Sequence, residues 1–155
     1  MIAAFLFSAG CAVKPQDVTH DPSFGNFQAV LGTWKSKVPL RLVQGTNSLV
    51  GRDDLGGGVT LFVTDMGYHP SDWKDLGTLP AETEVRIEHL YYWNTFEAPY
   101  IAATGSLTAG PYKDRPLELE RGLFTKDLMS TVAMGHGDPK VVNKDWTVDG
   151  DILEK

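Results

Sequence analysis

Cysteine is nearly missing from this 155-residue chain: Cys11 is the single one. One thiol makes no internal disulfide and no cysteine-based zinc centre, so neither a disulfide framework nor a thiolate metal supports the fold. Clustered positive charge is missing too. The 14 Lys and Arg are scattered among 20 Asp and Glu, for a formal net charge of −6. Nucleic acid is a polyanion that calls for a basic stripe, so no nucleic-acid partner is expected. Long apolar runs are absent as well. The run at residues 2–7 falls far short of the ~20 residues that cross a bilayer as a helix. No repeat, low-complexity tract, phosphate loop, nucleophile elbow or HExxH helix interrupts the sequence.

What remains is ordinary for one folded domain: 42% hydrophobic and 22% charged residues. A chain this long can bury about two-thirds of its unfolded surface. The N-terminus stands apart from the rest. Residues 2–7 are apolar, and Ser8, Ala9 and Gly10 lead with small side chains into Cys11. An apolar stretch followed by small residues has the form of an export signal. The segment resembles a bacterial lipoprotein signal, with Ala9, Gly10 and Cys11 at the last three lipobox positions. Ser8 replaces the usual Leu, and no Lys or Arg precedes the apolar run. The resemblance implies lipidation at Cys11 and attachment to the membrane through that anchor alone. Ala12 after the cysteine implies an outer-membrane lipoprotein facing the periplasm or the surface. The competing reading is a buried first element with an ordinary core cysteine.

From residue 12 to 33 the chain holds Pro15, Pro22, Gly25 and Gly32 without periodicity, and it reads as a tether or lead-in. Phe24 and Phe27 are its candidate docking residues, and residues 24–31 are a candidate short helix. Strands are expected over 38–43, 59–64, 82–93, 100–107 and 117–119, where apolar and polar residues alternate. Pro39 suggests a strand start or a sheet edge. The phase slips near His89 and Leu90, which predicts a bulge. Residues 67–75 read as a turn-rich loop with Trp73 plugging the core beneath it. Residues 125–155 read as a C-terminal extension packing on the domain, with a further short helix at 125–132.

About five strands between 34 and 124 predict an all-β fold, a small, partly open barrel. Val38, Pro39, Leu40, Arg41 and Leu42, and then residues 76–87 with Leu79, Pro80, Glu82, Thr83 and Val85, resemble bacterial SH3-like domains. In that family a leucine-proline-x-glycine-threonine turn enters a central strand. Glu82 stands at the glycine position. A later strand ending in Gly105 also fits. The implied domain is SH3-like, spans residues 34–124, and follows a signal or anchor segment at 1–11.

Nucleophilic catalysis needs a nucleophile, a base and an orienting group within reach of one another. His20, His69, His89 and His136 lie in no such setting. His136 and Asp138 share a glycine-flanked loop, which is half a metal site at best. Asp53, Asp54, Glu82, Glu84 and Glu88 are carboxylates by composition, and alternation puts Glu84 and Glu88 on the solvent face. Asp145, Asp149 and Asp151 lack calcium-loop spacing. No catalytic residue, metal or cofactor is therefore assigned. The candidate contact surface is aromatic: Tyr91, Tyr92, Trp93, Phe96 and Tyr100. Consecutive strand residues face opposite sides, so part of this set turns away from the core. The expected function is a non-enzymatic binding or scaffold module of the cell envelope, with a protein, peptide or cell-wall glycan partner. The alternatives are a small cell-wall-active hydrolase using His136 and Asp138, or a structural subunit of a larger assembly.

Overall fold

The computed structural model describes residues 15–44, 59–63, 73–94, 99–125 and 146–155; at 59–63, 93–94, 99–100 and 121 the description covers the backbone alone. Nine strands among these residues form one sheet. They are β1 (Gln16–Asp17), β2 (Gly32–Ser36), β3 (Leu40–Gln44), β4 (Val59–Val63), β5 (Lys74–Leu79), β6 (Glu84–Asn94), β7 (Pro99–Leu107), β8 (Leu117–Leu119) and β9 (Leu153–Glu154). The order is β5-β3-β4-β8-β7-β6-β2-β9, with β1 also on β6. Every pairing is antiparallel except β4 with β8. The fold is all-β.

The five strands expected from alternation are β3, β4, β6, β7 and β8. The sheet is larger than the expected five, because β1, β2, β5 and β9 join it. Among the described residues no pairing connects β5 to β9, so the sheet is open. β3 lies between β5 and β4, so Pro39 marks a strand start and not an edge. Its missing N–H then falls outside the ladder.

Alternation builds the core. In β6, Val85 and Ile87 are buried between exposed Glu84 and Arg86. After Ile87 the register against β7 shifts, and Glu88 and His89 both lie outside the core before Leu90 returns to it. This is the bulge that the phase slip predicts. Leu40 and Leu42, Ile101, Ala103 and Leu107, and Leu117 and Leu119 complete the buried face. Each buried valine, leucine or isoleucine here contributes about 2 kcal/mol by leaving water.

The lead-in is not a loose tether where it is described. After β1 it forms a 3-10 segment, Pro22–Val30, capped by Asp21, whose side chain accepts from the Ser23 N–H at 2.8 Å. Phe24, Phe27 and Val30 are buried. Phe24 meets Tyr92 at 5.2 Å between ring centroids, and Phe27 meets Trp146 at 5.4 Å. Trp146 in turn stacks on Phe124 at 4.6 Å. The two ends of the described chain thus share one aromatic cluster. Trp73 is half-buried, and most of the loop it is expected to plug lies outside the described residues.

The turn between β5 and β6 keeps the conformation glycine favours while holding Glu82. Its φ is +73°, a left-handed value that costs a side chain about 1 kcal/mol. Buried Ser36 holds the turn in place. Its carbonyl accepts from the Glu82 N–H at 2.7 Å, and its hydroxyl accepts from the Thr83 N–H at 3.1 Å. The Ser36 N–H donates back to the Thr83 carbonyl at 2.9 Å. Lys35 also pairs with Glu82, and this contact holds the lysine ammonium above its ordinary pKa, chiefly through their hydrogen bond.

Candidate functional site

The bulge positions the site. Ile87 pairs with Gly105, and the next pair is His89 with Thr104, so Glu88 is the extra residue on β6. The backbones draw close there. A Cβ on Gly105 would stand 1.9 Å from the Arg86 carbonyl oxygen, a separation no side chain can adopt. The extra residue puts Glu88 and His89 side by side on the outer face of the sheet.

A depression of about 160 Å³ opens beside them. Glu88, His89 and Tyr91 line it from β6, Thr104 and Ser106 from β7, and Asp114 from the loop that follows. Thr104 and Ser106 are almost wholly buried. Ser106 Oγ donates to Glu88 Oε2 at 3.0 Å, which fixes that carboxylate. Its other oxygen lies 3.7 Å from Arg86 Nη1. Asp114 takes a left-handed φ of +56°, which aspartate tolerates better than most residues. Its N–H donates to the Leu107 carbonyl at 3.0 Å, and its carboxylate lies 3.8 Å from Lys113 Nζ.

β1 borders the site. Asp17 pairs in register with Tyr91, and its Oδ2 lies 3.7 Å from His89 Nδ1. Burial pushes the Asp17 carboxyl upward, but hydrogen bonds from the Thr19 side chain and backbone, with the nearby His89 and His20, hold it below its ordinary value. The His89 and Tyr91 rings sit 6.1 Å apart, tilted at 36°.

The expected aromatic surface divides at this point. Tyr91 lines the outer depression, whereas Tyr92 faces the core side against Phe24. Trp93 and Tyr100 are paired opposite each other at the far end of β6 and β7, where the backbone alone is described. Phe96, Cys11, His69, His136, Asp138, Asp53, Asp54 and Asp145 lie outside the described residues. Asp149 and Asp151 form a surface turn in which Asp149 Oδ1 accepts from the Asp151 N–H at 2.9 Å. Among the described residues no group of three metal-ligating side chains occurs, and no helix is long and apolar enough to cross a membrane.

Sequence reasoning placed Glu88 and His89 on a strand but did not join them to Thr104, Ser106 and Asp114. The available signal was the phase slip at 88–89, together with a glycine inside the returning strand at 105. Comparison with family models, with curated proteins and with solved structures finds no match to this chain.

Proposed function

We propose that this chain is a non-enzymatic binding module whose contact surface is the outer face of β6 and β7 around the bulge. One observation carries the reading: His89 and Tyr91 are turned outward next to a depression lined by carboxylates and hydroxyls. A rigid two-stranded platform that presents an aromatic ring and fixed polar groups is suited to recognition. The likeness of residues 76–87 to bacterial SH3-like domains supports a binding role over a catalytic one.

The partner in this reading is a protein, a peptide or a cell-wall glycan in the cell envelope. The small residues before Cys11 support lipid anchoring there, and Ala12 supports the outer membrane. An acyl anchor would hold the domain at the surface where its partner is concentrated. Two measurements test the proposal. Mass spectrometry of the N-terminus from native membranes should find diacylglyceryl-Cys11; a native chain that keeps Met1 removes the anchor. Purified domain should co-sediment with insoluble envelope material, and the His89→Ala/Tyr91→Ala double variant should lose this association. Undiminished sedimentation by the double variant would sink the assigned surface.

A further inference from the structure

We infer that the depression at the bulge takes a single neutral pyranose ring, so that the ligand class is a saccharide. The inference rests on the proposed contact surface and names what that surface recognises.

Charge singles out no ionic ligand, because both signs lie at the rim. Glu88 has Arg86 at 3.7 Å and Asp114 has Lys113 at 3.8 Å, so each carboxylate of the lining already has a counter-charge. These exposed pairs are weak, so the nearby cations disfavour an ammonium, and the carboxylates a phosphate, only modestly. A hydroxyl-rich neutral molecule meets neither opposition. Carboxylates accept hydrogen bonds strongly while they stay paired.

The polar lining suits hydroxyls. Ser106 donates to one oxygen of Glu88, and that carboxylate, which lines the depression, keeps acceptor capacity beyond this bond. Thr104 is 3% exposed and lines the same space, and no hydrogen bond joins its hydroxyl to another described side chain. Among the described residues Trp146 Nε1 is the one wholly buried side-chain polar atom without a partner, so the Thr104 hydroxyl is open to the depression, where a sugar hydroxyl can replace water on it. Tyr91 gives the wall an aromatic ring, against which the C–H face of a sugar packs.

Size sets the extent. About 160 Å³ is below the ~300 Å³ of a drug-sized pocket, which limits the occupant to one small ring. One ring fits, and further sugars of a chain would lie along the outer face.

The test is a titration of the isotopically labelled full chain, followed by amide resonances. The probes are methyl β-glucopyranoside and N-acetylglucosamine, with n-butylammonium and inorganic phosphate as ionic controls. Saturable shifts are expected at residues 88–91 and 104–106 for at least one sugar, with a Kd of ~1–10 mM for so small a ligand. Tyr91→Ala should weaken binding about tenfold. Asp114→Asn, in an exposed loop, should weaken it severalfold with the spectrum otherwise intact, and it carries the test should Tyr91→Ala unfold. No saturable shift by either sugar up to ~100 mM would overturn the inference. So would equal shifts from butylammonium or phosphate, or shifts confined to another face. If the sugars fail while envelope material still binds through His89 and Tyr91, the contact surface stands and the saccharide assignment falls.

Discussion

At position 105 the backbone admits nothing larger than hydrogen. The close approach to the Arg86 carbonyl involves main chain on both sides, so it cannot relax by a rotamer change. Gly105→Ala should therefore cost about 3 kcal/mol, at the upper end for an overpacked site, read as a lowered urea midpoint. Glu82 is the opposite case, a side chain where glycine would fit better. Glu82→Gly relieves the left-handed strain and loses an exposed ion pair with Lys35 that is worth little. A gain of about 0.5 kcal/mol is expected in the same assay. Asp17 gives a pH dependence. Its folded pKa lies below the ordinary 3.8, so its contribution is fully present above that value and is lost as pH falls through the folded pKa. Asp17 is about half exposed, so the effect is small. Denaturation midpoints followed below about pH 4 should fall less steeply for Asp17→Asn than for the parent chain.

The β6–β7 pair carries both the core and the site, and the bulge lets it do so. With Glu88 removed, Ile87 and His89 would become consecutive and pair with Gly105 and Thr104 in regular register, leaving Val85, Ile87 and Leu90 facing inward. Deleting Glu88 should thus leave the fold intact, with a stability change within about 2 kcal/mol, while removing the carboxylate of the depression. Deleting Arg86 instead breaks a regular stretch and should unfold the chain, because it turns Val85 outward. Circular dichroism with thermal unfolding separates the two outcomes. The five strands with apolar alternation were legible because side-chain period records which face is buried. β2 was not, since its five residues bring one large apolar side chain, Trp34, and bury a serine for a purpose that lies in a distant turn. β5 was hidden by its exposure at the end of the sheet, where no face needs to be greasy. β9 has two residues, too few to show a period. For the site, the bulge could be read, but its partners on β7 and in the next loop could not, because only the pairing register brings them to it.

For the whole molecule, stability depends on its ends. Trp146, Val148 and Leu153 are buried against residues from the first and middle parts of the chain. Truncation before residue 146 should remove several kcal/mol, at about 2 kcal/mol per buried side chain, and leave a chain that lacks a cooperative thermal transition. β9 pairs with β2 so that Lys35 faces Glu154 and Ser36 faces Leu153, joining the first quarter of the sequence to its last residues. A ribosome adds about 5–20 residues each second and holds the newest stretch inside its tunnel. The outer strand of this sheet is therefore supplied only after every other strand has been made. Until then the nascent chain carries an unfinished edge and stays accessible to chaperones or to machinery that threads unfolded polypeptides.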